Sequence, residues 1–203
     1  AIDGVRYQET VGSPIITADI YSLEYLSAQK ADRDAIIINS TYDDSDRTDW
    51  EKWVACDSFS KMSSRASADF IPAFISASGL TTDEVMAGCW PPAADVMEVL
   101  GEMEHLRWNA FHFVMGYSPM SSAELDERAD TYRKHIEKGL PGIRLFKDSE
   151  NRTHACLIPW DELDDLSEKE RSITGRAVDY KQYDINNVLI IPEILKQGEM
   201  SVK

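Results

Sequence analysis

The sequence predicts a mostly α-helical fold with at most a short β element. Hydrophobic residues make up 43% of the 203 residues and charged residues 28%, a balance typical of a folded globular protein. Apolar side chains recur every three or four positions along most of the chain, which is the spacing of amphipathic helices. No apolar run approaches the roughly 20 residues that a membrane span needs, so we expect no direct membrane insertion.

The first part of the chain combines an extended segment with shorter elements. Residues 1–14 indicate a lead-in, and the apolar spacing of residues 15–30 predicts a first helix. The β-branched run at 35–39 suggests a strand, but a run of four or five residues is ambiguous between strand and helix. Four aspartates at 43–49 form an acidic loop, but they lack the glycine and terminal glutamate of a calcium-binding EF-hand. We therefore interpret this segment as a solvated loop.

The next helix is predicted over residues 58–78. Pro72 should kink or divide it, because proline removes a backbone hydrogen-bond donor, and Gly79 is a natural end. Thr81 and Glu84 have the spacing of a capping box, which predicts the start of another short helix.

A central helix over residues 98–117 follows. Its polar residues form one stripe at helical spacing: Glu98, Glu102, His105, Asn109 and His112. Most of the remaining circumference is apolar, which predicts that this helix is the most buried element of the chain. Buried polar groups need partners, so the stripe should face either complementary side chains or a ligand cavity.

Further helices are predicted over 123–138, 162–171 and 174–187, with a last one from 192 to about 198. The segment 139–152 indicates a loop or a short β excursion.

Charge and cysteine content exclude several classes of protein. The formal net charge is −15, and residues 1–120 hold 19 acidic against 8 basic side chains, so the basic residues concentrate later in the chain. Nucleic-acid binding draws on clustered Lys and Arg, so we expect none. Three widely spaced cysteines form neither a disulfide framework nor a zinc motif. They indicate free thiols and a cytoplasmic protein.

The sharpest catalytic hypothesis is a metal-dependent enzyme that uses Glu102 and His105. The two form the Glu-x-x-His pair of di-iron helix bundles, but the chain has no second pair. The alternative is that a carboxylate or a backbone carbonyl holds His105. Nucleophile-elbow and phosphate-loop motifs are also absent from the sequence. These observations favour the alternative for His105, so we predict no metal and no cofactor.

Several motifs together resemble the RyR domain, the repeat named for ryanodine receptors and also found in bacterial proteins. The resemblance lies in the segments 102–108, 116–117, 154–163 and 187–195, with a looser match around Trp50 and residues 63–69. It covers 95–195 well and 35–80 loosely. It implies a helical RyR-like domain over 51–198, after a lead-in and N-terminal helical extension over 1–50.

The resemblance further implies a non-catalytic regulatory module that senses a nucleotide-like small molecule. The module would relay binding to attached domains of a larger parent protein, which in bacteria often include a TrkA-type domain. The match itself is carried by Glu102, His105, Trp108, Gly116, Tyr117, His154, Pro159, Trp160 and Leu163. The competing hypothesis is a protein–protein docking module without a ligand, in which the acidic first part binds a basic partner.

We expect any ligand site to lie where the end of the central helix meets residues 154–163. The candidate ligand-binding residues are Glu102, His105, Arg107, Trp108, His112, Tyr117, His154 and Trp160. Aromatic faces beside a few basic groups suit a planar anion. For Arg107, pairing with Glu104 or with a carboxylate of another helix is the alternative role.

Overall fold

The computed structural model describes residues 32–43 and 45–200. It is mostly helical with one small sheet, so the mostly-α prediction is confirmed. The predicted lead-in and first helix over 1–30 lie outside the described residues. The chain forms two compact units, one holding the described residues up to Ala68 and those from Lys196, and the other Asp69–Leu195.

The first unit contains helix α1, Arg33–Ser40, where the sequence predicted a strand. That prediction is wrong. Ala35, Ile37 and Ile38 are buried on this helix. A run of four or five apolar residues shows neither helical nor alternating periodicity, and here tertiary burial decides the conformation.

Helices α2, Asp49–Ala55, and α3, Ser58–Ser78, follow. Trp53 of α2 is buried, and the guanidinium of Arg65 lies 5.4 Å from the centroid of its ring. Arg65 also donates two hydrogen bonds, of 2.6 and 2.7 Å, to the carboxylate of Asp32. Arg65 thus binds both an indole and a carboxylate within this unit.

Helix α3 continues through Pro72, which excludes the division but not the kink that the sequence allowed there, and it ends before Gly79, which has a φ of +76°. The predicted capping box is confirmed. Thr81 Oγ1 accepts from the backbone N–H of Glu84 at 3.3 Å, and the Glu84 carboxylate accepts from the N–H of Thr81 at 2.8 Å. Two short helical segments follow: Thr82–Glu84 and, with π-helical geometry, Val85–Cys89.

The central helix α4 spans Ala94–Val114, and Gly116, with a φ of +80°, follows its end. The later helices are α5 (Ser122–Glu137), α6 (Leu163–Thr174), α7 (Tyr180–Leu189) and α8 (Ile191–Met200). A single 3₁₀ turn, Trp160–Glu162, leads into α6. Helix α7 begins six residues later than predicted, because Gly175 ends α6 in a left-handed conformation and Asp179 caps α7.

Three two-residue strands form the sheet: β1 (Ser118–Pro119), β2 (Lys147–Asp148) and β3 (Thr153–His154). Strand β3 lies in the middle, parallel to β1 and antiparallel to β2. The short β excursion expected within 139–152 is therefore present. The sheet brings His154 next to the segment that follows α4.

Helices α4 and α7 pack closely in the second unit. A Cβ at Gly101 of α4 would lie 2.7 Å from Cγ1 of Ile185 and 3.1 Å from the indole of Trp160. The absence of a side chain at Gly101 therefore permits the close approach.

Contrary to the prediction, α4 is not buried all round. Its outer face exposes Val99, Leu106, Phe113 and Val114, whereas Glu104, His105 and His112 face inward and are at most 2% exposed. Burial of these polar groups is feasible because each has a hydrogen-bond partner: His112 on α4 itself, Glu104 on both α4 and α7, and His105 on α7 and at Ile158. The apolar arc of the sequence is wider than the face that the neighbouring helices cover.

Candidate functional site

A buried ion pair lies on the inner face of α4. Arg107 donates to both carboxylate oxygens of Glu104, at 2.6 and 2.8 Å, and the two side chains are 7% and 0% exposed. Asn187 of α7 donates to the same carboxylate at 3.3 Å. Burial raises the pKa of Glu104, and the bidentate contact with Arg107 opposes that shift. Arg107 thus has the structural role that the sequence allowed as an alternative to ligand binding.

Two shorter polar contacts hold His105, in addition to the Asn109 amide nitrogen 3.2 Å from its Nε2. Its Nε2 lies 2.8 Å from the carbonyl oxygen of Ile158, and its Nδ1 lies 3.0 Å from Oδ2 of Asp184 on α7. The carboxylate and carbonyl partners predicted for His105 are both present. Because a carbonyl only accepts, Nε2 must carry a hydrogen, and a second proton is shared between Nδ1 and Asp184.

The pKa values of this pair agree with the shared proton. Burial lowers the pKa of His105, but the hydrogen bonds to Asp184 and Ile158 and the Asp184 charge outweigh that effect, so the net pKa is raised. Burial likewise raises the pKa of Asp184. Both shifts favour the state in which the pair keeps its proton.

Six of the eight predicted ligand-binding residues lie together in the structure. The rings of His105, Trp108, His112, Tyr117, His154 and Trp160 form a continuous cluster. Trp108 and His112 are the closest pair, with centroids 3.8 Å apart. The two other predicted residues lie outside it, since Arg107 pairs with Glu104 and Glu102 is exposed.

Two histidines of this ring cluster are neutral near pH 7. Burial lowers the pKa of His112 to about 4 and the pKa of His154 to about 3. His112 donates from Nδ1 to the carbonyl of Trp108 at 3.0 Å. His154 Nδ1 accepts from the backbone N–H of Cys156 at 3.1 Å, so its ring hydrogen is on Nε2. The neutral forms are therefore fixed as opposite tautomers.

A cavity of about 640 Å³ opens next to this cluster, with His154 in its lining. The other walls are the loop 142–147, the end of α6 and the segment from Arg176 into α7. Its aromatic lining consists of Tyr132, Phe146, Tyr180 and Tyr183. This volume is within the range typical of small-molecule sites.

Three cations line the cavity, Arg144, Lys147 and Arg176, against one carboxylate, Glu170. Within the described part of the chain, neither Arg144 nor Arg176 forms a salt bridge, and both are exposed. Glu170 instead accepts a hydrogen bond from the phenol of Tyr180. The cavity thus has an excess of positive charge in a chain of net charge −15.

Arg128 of α5 holds one wall of the cavity in place. Its guanidinium donates to the carbonyls of Leu145 and Lys147, at 3.0 and 2.9 Å, and to that of Arg144. It also donates to Asp148 Oδ2 at 2.8 Å. One side chain therefore fixes a loop that has no regular secondary structure before β2.

Most of the cavity residues were not predicted from the sequence. Arg144, Lys147 and Arg176 lie in or next to irregular segments, where helical periodicity gives no signal. Their only trace in the sequence was the concentration of basic residues after position 120. His154 is the residue that the predicted site and the cavity share.

Neither a metal-ion cluster nor a membrane-spanning helix is present in residues 32–43 and 45–200. In that part of the chain, no three histidine, cysteine or acidic side chains lie close enough to hold a metal ion together. None of the helices described there has the length and hydropathy of a membrane span. No protein-family model, curated protein or solved structure matches this chain.

Proposed function

We propose that Asp69–Leu195 is a non-catalytic regulatory module that binds a planar, anionic small molecule of the nucleotide type. The ligand would occupy the cavity beside His154, between the loop 142–147 and the start of α7. The observation that carries the proposal is the cavity lining, in which four aromatic rings accompany three cations and one carboxylate.

The chemistry of the lining matches such a ligand. Tyrosine and phenylalanine rings offer faces for a planar heterocycle, and guanidinium groups bind phosphate or carboxylate through paired donors. An anion approaching a protein of net charge −15 is repelled at long range, so it binds only where cations are concentrated. Arg144 and Arg176 supply that local charge without first breaking an internal salt bridge.

The reactive groups near the cavity support a binding role rather than catalysis. Burial raises the pKa of the Cys156 thiol and that of the Tyr180 phenol, so neither forms a nucleophilic anion near neutral pH. The Nδ1 lone pair of His154 is occupied by a backbone N–H. The RyR-domain resemblance, which rests on the motifs quoted above, implies the same kind of module.

A route from the cavity to α4 supports a relay of binding. Tyr183 of α7 lines the cavity, and the next residue, Asp184, binds His105 of α4. A ligand that orders Tyr183 would therefore also bias the position of α7 against α4.

A thermal-shift screen of the full chain tests the proposal. The panel should contain nucleoside mono- and triphosphates, dinucleotides and, as an anion without a ring, inorganic phosphate. A ligand present at about 100 times its Kd stabilises the folded state by about 2.7 kcal/mol. We expect at least one nucleotide to raise Tm and phosphate alone to have much less effect.

The double variant Arg144→Met/Arg176→Met should keep the Tm of the unliganded protein, because both side chains are exposed and form no salt bridge with a described residue. It should lose the nucleotide-induced shift. Arg133→Met, which removes an exposed cation outside the cavity lining, is the matched control and should keep the shift. A panel without any stabilising nucleotide, or a full shift in the double variant, would refute the proposal.

A further inference from the structure

The outer face of α4 carries an apolar stripe that the described part of the chain leaves exposed. Val99, Leu106 and Phe113 repeat at intervals of seven residues and are 55%, 58% and 50% exposed, and the adjacent Val114 is 85% exposed. Ala110 lies on the same face, and Met103 borders it. Apolar side chains at this spacing on one helix are the arrangement that a second helix packs against.

Charge on the same helix indicates the chemistry of that second helix. Every exposed charged side chain of α4 is acidic, namely Asp95, Glu98 and Glu102. Glu102 stands three residues after Val99 and four before Leu106, and thus borders the stripe. The one arginine of α4 is turned inward to Glu104.

The carboxylates bordering the stripe are available for a partner. Neither Asp95 nor Glu102 forms a salt bridge or a side-chain hydrogen bond with another described residue. Glu98 accepts from the indole N–H of Trp160 at 2.9 Å. Negative potential along one edge of an apolar stripe favours a partner with complementary positive charge.

From the stripe and its acidic edge we infer that α4 docks an amphipathic helix of another protein. The partner helix has apolar residues at i, i+3 or i+4, and i+7, with Lys or Arg along the side that faces Asp95 and Glu102. A second copy of this chain is a poorer fit, because it would bring two acidic edges and two net charges of −15 together. The inference does not depend on the cavity or its ligand.

Designed peptides of about 20 residues, long enough to span the roughly 22 Å from Val99 to Val114, test the inference. One peptide carries leucines at the stated spacing with lysines beside them. A second has glutamates in place of the lysines, and a third copies residues 15–30 of this chain. Fluorescence anisotropy at physiological salt reports binding of each to the full chain.

The lysine peptide should bind at least about tenfold more tightly than the glutamate peptide. Leu106→Glu should weaken that binding by about tenfold or more, although the change adds negative charge that would otherwise attract lysines. Leu140→Glu, at an exposed leucine outside α4, is the matched control and should bind like the wild type. Glu102→Lys should shift the preference toward the glutamate peptide.

Four results would overturn the inference. They are no binding of the lysine peptide, equal binding of the lysine and glutamate peptides, undiminished binding to the Leu106→Glu variant, and tighter binding of the 15–30 peptide than of the lysine peptide. Analytical ultracentrifugation tests for a fifth contradicting result. A wild-type dimer that Leu106→Glu converts to a monomer would assign the stripe to self-association.

Discussion

The variant Arg107→Met separates a structural role of this arginine from a role in ligand binding. The change keeps most of the side-chain volume but removes both donors to Glu104, whose carboxylate is 0% exposed. Loss of one partner of a buried pair costs about 3–5 kcal/mol, because the other charge is left without compensation in a region of low dielectric constant. We expect a loss of that size, reduced somewhat because Asn187 still donates to Glu104.

A double-mutant cycle gives the decisive comparison. Glu104→Leu/Arg107→Met removes both charges and replaces them with apolar groups of similar size. Such replacements are often neutral, so the double variant should lie within about 1 kcal/mol of the wild type and well above Arg107→Met alone. Arg133→Met, which breaks an exposed pair with Asp130, should cost about 0–1 kcal/mol.

Urea denaturation followed by tryptophan fluorescence measures the free energy of unfolding of each variant. A loss of less than about 1 kcal/mol in Arg107→Met would refute a structural role for this ion pair. That role would also be refuted if the double variant were as unstable as the single one, because the cost would then arise from packing around position 107 and not from the stranded charge.

Three further predictions concern α4 and its buried contacts. Asp184→Asn should stay folded, because an amide can donate to Nδ1 of neutral His105. The raised pKa of His105 means that the stability of the wild type falls as pH rises above 6.5, by at most about 1.4 kcal/mol per pH unit. Urea denaturation at pH 6.5 and 8.5 should show a smaller fall in the variant than in the wild type. The pKa of His112 is lowered to about 4, so its protonation in the unfolded state reduces the free energy of unfolding as pH falls from 6.5, by about 2 kcal/mol at pH 5. In the same assay, His112→Gln should lose less stability than the wild type between pH 6.5 and pH 5. Gly101→Ala should destabilise by about 1–3 kcal/mol in spite of the better helix propensity of alanine, because the new Cβ would lie 3.1 Å from the Trp160 indole; a variant as stable as the wild type would contradict the packing.

Helix ends were predictable because their signals are local. The capping box of Thr81 and Glu84 and the glycines at 79 and 116 act within a few residues of the chain, and the structure has them where the sequence indicated. Helix α1 was not predictable in the same way. Its short apolar run fits a strand or a helix equally well, and burial of Ile37 and Ile38 is a property of the folded unit.

The partners of His105 depend on contacts between segments that lie far apart in the sequence. The sequence showed that a polar stripe on α4 needed partners, but it could not name Asp184, which lies 79 residues later on a helix whose start was misplaced by six residues. The cavity was even less predictable from the sequence than the partners of His105. Its lining comes from five segments that tertiary packing brings together, and the loop 142–147 depends on Arg128 for its conformation.

The orientation of α4 follows from which of its faces has specific partners. Apolar side chains can pack against almost any neighbour, whereas buried Glu104 and His105 need the Asn187 amide, the Asp184 carboxylate and the carbonyl of Ile158 at hydrogen-bond distance. The polar contacts therefore select one rotation of α4 against α7, and that rotation turns the Val99–Phe113 stripe outward. A single set of buried bonds thus positions both features on which the proposals rest, since α7 carries Tyr183 into the cavity while α4 presents the stripe. Any change that breaks the His105–Asp184 contact should consequently weaken ligand binding and peptide docking together, whereas Arg144→Met/Arg176→Met and Leu106→Glu should each affect only one of them.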